Sequence, residues 1–208
     1  DGNFEIYVAN ADGSNQTRLT NDPAGDNNPV WSPVSDEIAF TSNRFGNADL
    51  FLLNLNGNVS TLTTNPAADN NPAWSPDGTT IAFQTFANEI SHVCLIGRDA
   101  LNQRCITETM NVYETPVWSP NGLWLAFTSL QTSSITLFNV QDNSNVQVFQ
   151  LGIEPRGKPA WSPDGLRLVF QAQVEGNLEL FSALVAANEI TRITSAPGTD
   201  GSPVWTMQ

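Results

Sequence analysis

The sequence predicts an all-β protein, a β-propeller of about five four-stranded blades, and three observations carry that expectation. A proline–tryptophan segment recurs at a nearly fixed interval. Four strand-like segments fall within each interval. Turn chemistry separates them, and no stretch has sustained helical periodicity.

The recurring segment reads PVWSP from Pro29, PAWSP from Pro72, PVWSP from Pro116, PAWSP from Pro159 and PVW from Pro203. Its tryptophans are Trp31, Trp74, Trp118, Trp161 and Trp205, spaced by 43 or 44 residues. Short strands at this period are the mark of propeller blades. The second strand is Ile38-Ala39-Phe40, Ile81-Ala82-Phe83, Leu125-Ala126-Phe127 or Leu168-Val169-Phe170. The third contains Ile6-Tyr7-Val8, Leu50-Phe51-Leu52, Val93-Cys94-Leu95, Leu137-Phe138 or Leu180-Phe181. The fourth ends at Leu19-Thr20, Leu62-Thr63, Ile106-Thr107, Val148-Phe149 or Ile193-Thr194.

Between the first and second strands lie Pro76-Asp77-Gly78, Pro120-Asn121-Gly122 and Pro163-Asp164-Gly165. Asp12-Gly13 and Asn56-Gly57 join the third to the fourth. Asn-Gly and Asp-Gly supply the positive φ of a tight hairpin. Apolar residues occupy both faces of many strands, as in sheets stacked between sheets. Proline before each tryptophan fits an edge strand, which has no need of that N–H.

These residues carry a family resemblance. P-x-W-S-P-D-G-x-x-I-A-F, a G-N-x-(D/E) strand and R-L-T resemble the TolB-type, WD40-like propeller repeat of bacteria, over nearly the whole chain. Asp1 to Val8 and Asn10 to Thr20 read almost as that consensus. The resemblance implies an exported bacterial propeller, periplasmic or extracellular, that docks protein partners at one mouth of its channel. It also implies a ring closed by the C-terminal Trp205 strand. The expected domain is therefore a single propeller over residues 1–208, the C-terminal part of a longer chain. Its last blade would combine the Trp205 segment with Phe4 to Thr20 and lack one strand, because the Ile-Ala-Phe segment occurs four times and the others five.

The charge narrows the partners. Eight Lys and Arg against 21 Asp and Glu leave −13, a field that repels nucleic acid and anionic membranes. No apolar run is long enough to span a bilayer as a helix. The expected partners are a protein and, through open blade edges, further copies of the chain.

Candidate sites follow from the repeat. The segments entering each tryptophan strand are expected as loops gathered at one mouth: Asp26-Asn27-Asn28, Asp69-Asn70-Asn71, Tyr113-Glu114-Thr115, Arg156-Gly157-Lys158 and Asp200-Gly201-Ser202. Asp26, Asn28, Asp69, Asn71, Glu114, Arg156, Lys158 and Asp200 are the candidate partner contacts there. Arg44 joins them from the loop Asn43 to Asp49, where Arg44 and Asp49 are read as pairing within the loop or with the next blade. Asp and Asn also cap turns through their own backbone, which is the structural reading of the same loops. No catalytic residues and no cofactor are expected, with Ca²⁺ held by converging carboxylates and amides as a weaker alternative.

His92 is the one histidine. It stands where other repeats have Glu5 or Glu179 and is read as a blade-edge polar residue. The repeated tryptophans are read as interblade packing; Trp124 lies outside the repeat position and is a surface-contact candidate. Cys94 and Cys105 fall opposite each other about a hairpin centred on Asp99-Ala100, in disulfide range; a bond there implies an oxidising compartment, and two buried free thiols are the alternative reading. The leading function is a non-enzymatic binding or scaffold propeller. The alternatives are a self-assembling surface domain and a carbohydrate-binding or carbohydrate-active propeller.

Overall fold

A computed structural model describes residues 2–107, 115–150 and 152–205. All regular structure among them is β. The chain divides into two compact units, residues 1–89 with 93–105, and residues 90–92 with 106–208.

The first unit begins with a two-stranded hairpin, β1 (Tyr7–Val8) and β2 (Thr17–Arg18). A four-stranded antiparallel sheet follows: β3 (Asp26–Trp31), β4 (Glu37–Ser42), β5 (Asp49–Asn54) and β6 (Val59–Thr61), in that order. The next sheet is β7 (Ala68–Trp74), β8 (Thr80–Ala87), β9 (Ile90–Gly97) and β10 (Arg104–Cys105). The second unit holds two more sheets of the same order. One is β11 (Val117–Trp118), β12 (Trp124–Ser129), β13 (Ser134–Asn139) and β14 (Ser144–Gln150). The other is β15 (Glu154–Trp161), β16 (Arg167–Val174), β17 (Asn177–Leu184) and β18 (Glu189–Arg192). Four up-and-down sheets, each opening on a tryptophan strand at its edge, are the blades expected from the sequence.

The turns form as their chemistry dictates. Ser75 donates to Asp77 Oδ1 at 2.6 Å, Asp77 accepts from the Thr79 N–H at 3.1 Å, and Gly78 takes φ 67°. Ser119-Asn121-Gly122 and Ser162-Asp164-Gly165 repeat the pattern. The hydroxyl and N–H donors hold the exposed carboxyls of Asp77 and Asp164 below the usual carboxylate range.

The core lies between sheets. Ala39, Leu50 and Leu52 of one blade meet Trp74, Ile81 and Phe83 of the next. In the second unit Val117, Ala126, Ile135 and Leu137 meet Trp161, Leu168 and Phe170. Three of the repeated tryptophans donate Nε1–H to a carbonyl one repeat earlier: Trp74 to Val30 at 3.1 Å, Trp161 to Val117 at 3.3 Å and Trp205 to Ala160 at 3.1 Å. The indole thus gives a second donor to a carbonyl of the preceding blade's edge strand. Trp124, expected at the surface, is half-buried against the core of the second unit instead. It opens β12 and pairs with Asn139 of β13.

Candidate interaction site

Three of the segments expected as loops before a proline are strand, while Asp200-Gly201-Ser202 carries no strand. β3, β7 and β15 start at or before the acidic or basic residue, and each breaks register ahead of the tryptophan, between Asn27 and Val30, Asn70 and Ala73, and Arg156 and Ala160. The cause is local. Asn28 takes φ 52°, Asn71 φ 55° and Gly157 φ 68°; Pro29 and Pro72, which have no N–H, follow the asparagines directly, and Pro159 follows Gly157 after Lys158. A left-handed residue close to a missing donor cannot continue a ladder, so the strand bulges. The bulge turns the asparagine amides out of the sheet, and Asn28 Nδ2 donates to Asn71 Oδ1 at 3.3 Å while Asn71 Nδ2 donates to Gln84 Oε1 at 3.0 Å.

Beneath the bulges the acidic residues are buried. Asp26 is 2% exposed and Asp69 fully buried. Arg44 Nη2 donates to both oxygens of Asp26, at 2.9 and 3.1 Å. Its Nε bonds Ser42 Oγ at 3.0 Å, and its guanidinium lies over Phe51 and Phe40. Arg44 therefore pairs with Asp26 on β3, and Asp49 takes a different partner. Phe45, in the same loop, is 61% exposed.

Asp49 belongs to a repeated triad. The hydroxyl of Thr20 accepts from Ile6 N–H at 2.9 Å and donates to Glu5 at 2.6 Å, and Arg18 bonds the same carboxylate. Thr194 serves Leu180 N–H and Glu179 alike, at 2.9 and 2.8 Å, with Arg192 3.0 Å away. Thr63 serves Leu50 N–H at 2.9 Å and Asp49 at 3.3 Å, but Thr61 stands where the other triads have arginine. The same strand position holds His92, whose Nδ1 lies 2.9 Å from the Thr107 carbonyl oxygen. This is a structural contact, as the blade-edge reading expects.

Each triad is tied to the next acidic strand entry by one backbone bond: Asp26 N–H to Phe4 O, Asp69 N–H to Ala48 O and Asp200 N–H to Leu178 O, at 2.9, 2.7 and 2.9 Å. In the second unit, Arg156 pairs with Glu154 at 2.6 Å on the surface, Lys158 is exposed, and the Ser202 N–H reaches Gln171 Oε1 at 2.8 Å. Glu114, with Tyr113, lies outside the described residues. The sheet of β9 and β10 is closed by a disulfide between Cys94 and Cys105, which are direct partners in its register.

The sequence points to Asp26, Asn28, Asp69 and Asn71 through their identical spacing. It does not reveal which acids have arginines, because those partners come from other strands. The signal was present all the same, in Thr61 and Ala87 at repeat positions that hold Arg18 and Arg44 elsewhere.

The TolB beta propeller domain model matches residues 1–154 and 92–208. The Tol-Pal system protein TolB of Desulfosudis oleivorans is 38% identical over 61 residues, 29% of this chain and 14% of that protein. The crystal structure of TolB from Acinetobacter baumannii aligns over 95% of this chain and 50% of its own at 17% identity, with a TM-score of 0.74. Oligogalacturonate lyase from Vibrio parahaemolyticus aligns over 95% and 60% at 17% identity, with a TM-score of 0.75. The chain thus spans about half the length of the TolB structure and a seventh of the curated relative. At these identities the two structures share its fold.

Proposed function

The chain belongs to the TolB β-propeller domain family, and from that premise we propose that it is a non-enzymatic binding module that docks a protein partner through the bulged strand entries of its blades. The observation that carries this is the construction of those entries. Outward-turned side chains (Asn28, Asn71, Lys158) sit on bulges whose positive-φ residues fix their direction. In the first entry a buried Asp26–Arg44 pair braces the bulge from below. Preorganised amides and a lone ammonium read hydrogen-bonding groups of a partner at little entropic cost. Asp26, Asp69 and Arg44 act as supports, and Asn28, Asn71, Arg156, Lys158 and Asp200 as contacts.

The fold is shared with a Tol-Pal system protein and with a lyase. One histidine, held by the Thr107 carbonyl, favours the binding role over acid–base chemistry. Kinship to TolB supports a bacterial periplasmic location, a compartment in which the Cys94–Cys105 disulfide persists. Site-specific photo-crosslinking tests the reading. A crosslinker at position 28 or 158 should trap a discrete partner from periplasm, and one at Asn10 should not. Equal labelling from all three positions would overturn it.

A second reading, self-association, draws on Phe4, Tyr7 and Trp31, which are 73%, 51% and 48% exposed in the first unit. Sedimentation velocity over a hundredfold range of concentration decides it; a constant monomer would end it.

A further inference from the structure

Two strand entries of the first unit repeat one arrangement, charge-balanced at the first and not at the second. At the first, Glu5 and Asp26 are buried acids joined through the Asp26 N–H to Phe4 O bond, and each has its own arginine, Arg18 and Arg44. At the second, Asp49 and Asp69 occupy the same two positions and are joined through the Asp69 N–H to Ala48 O bond. Thr61 and Ala87 replace both arginines.

Two carboxylates are thereby buried, at 1% and 0% exposure. The donors that reach them are few. Thr63 Oγ1 lies 3.3 Å from Asp49 Oδ1 and is within hydrogen-bonding reach of Asp69 as well, yet has one proton to give. Asn65 Nδ2 donates to Asp69 Oδ2 at 2.6 Å. Thr85, the register partner of Asp69, supplies a second hydroxyl. Asp49 Oδ2 and Asp69 Oδ1 are buried and receive no hydrogen bond.

Burial, with each carboxylate so close that the Asp69 charge is felt at Asp49, pushes both above the usual carboxylate range. An uncompensated pair of buried negative charges is among the costliest arrangements a protein can keep. The first entry shows how this fold meets that cost: with a cation at each acid.

We propose that Asp49 and Asp69, with the hydroxyls of Thr63 and Thr85, form an interblade site for a hard divalent cation of the Ca²⁺ type, which takes the place that arginine guanidinium groups hold at the preceding strand entry. The donor set is oxygen throughout, with no imidazole or thiolate, and this selects Ca²⁺ over softer metals. The site differs from the convergence of loop carboxylates and amides considered from the sequence, because it is internal and lies between two adjacent blades.

The test uses the whole chain, stripped with a chelator and titrated with CaCl₂ at constant ionic strength while its melting temperature is followed. Ca²⁺ should raise the melting temperature by roughly 5 °C once the ion exceeds its dissociation constant a hundredfold. Asp69→Asn should abolish the rise. Thr61→Arg supplies the missing guanidinium, so it should melt higher than the stripped parent and no longer respond to Ca²⁺. The proposal is overturned if Ca²⁺ leaves the parent unchanged. It is equally overturned if the rise is the same in all three proteins, which would mark diffuse counterion binding to an acidic surface. A melting temperature that responds to acid alone would assign the pair a shared proton and exclude the cation.

Discussion

Arg44 reaches both oxygens of Asp26 through one guanidinium nitrogen, and its Cζ stands 4.6 Å from the centroid of Phe51. The Asp26 side chain is fully buried and that of Arg44 15% exposed. One residue therefore neutralises a buried charge, stacks on a core ring and anchors the loop that carries Phe45.

Replacing Arg44 by alanine would leave Asp26 charged and unpaired. Removing one partner of a buried ion pair costs about 3 kcal/mol or more. Arg44→Ala is expected to lose about that amount in urea unfolding. Arg44→Lys should lose roughly half, because ammonium keeps the charge and gives up the planar stack. Equal losses in both variants would show that the stacking, and not the charge, is what Arg44 contributes.

Glu5 and Asp69 should respond to pH with opposite sign. Burial raises Glu5, but hydrogen bonds from Thr20, Arg18 and Asn3 and the charge of Arg18 outweigh it, and its carboxyl titrates below the usual value. Its stabilising contribution is present above the unfolded value and fades as pH falls through the lower folded one. Burial raises Asp69, and there the hydrogen bonds do not win. Its folded form prefers the proton, so the stability it contributes is full below the unfolded value and is lost as pH rises through the folded one. In chelator, Glu5→Gln should destabilise at neutral pH by roughly 2 kcal/mol, and the deficit should shrink in acid. Asp69→Asn should stabilise at neutral pH by about 1 kcal/mol, and that gain should vanish in acid. Stability curves that do not converge in acid would refute the assignment.

The disulfide closes a hairpin with a sequence separation of 11 between Cys94 and Cys105. A loop of that size restricts the unfolded chain by about 3 kcal/mol. Cys105 is exposed, so a mild reductant can reach the bond in the folded protein. Reduction, or the double change to serine, is expected to lower the melting temperature by roughly 6–12 °C. An unchanged melting curve after full reduction, verified by thiol counting, would contradict this.

What the sequence made legible was whatever depends on neighbours along the chain. The hairpin centred on Asp99-Ala100 set Cys94 against Cys105, and the Pro-Asp-Gly turns set the blade order. The entries before each proline were harder to read, because Asp-Asn-Asn-Pro is loop-like in composition. Only pairing with β4 or β8 makes it a bulged strand. Arg44 reads from sequence as pairing within its loop or with the next blade, but its partner Asp26 lies 18 residues earlier, brought beside it by the β3–β4 ladder. The Asp49–Asp69 pair was hidden for the same reason. It joins a third strand to the next blade's first, and what marks it is two absent arginines that only an alignment of the repeats reveals.

The repeated tryptophans, identical in sequence context, should differ in energetic weight. Trp74 is 7% exposed, packs against Leu50 and Leu52 and donates to Val30 O. Trp31 occupies the same motif position and is 48% exposed. The two-stranded hairpin that precedes it has no tryptophan strand and no Ile-Ala-Phe strand on which an indole could lie. Trp74→Ala should therefore cost about 4 kcal/mol, the range for a large buried aromatic. Trp74→Phe should cost roughly 1–2 kcal/mol, since a ring survives but the indole hydrogen bond to Val30 O is lost. Trp31→Ala should cost about 1 kcal/mol or less. Denaturant unfolding followed by the fluorescence of the remaining tryptophans measures all three. If Trp31→Ala proved as damaging as Trp74→Ala, the indole would have to be buried in solution by a surface that covers it, and sedimentation of the unmutated chain would then reveal the association.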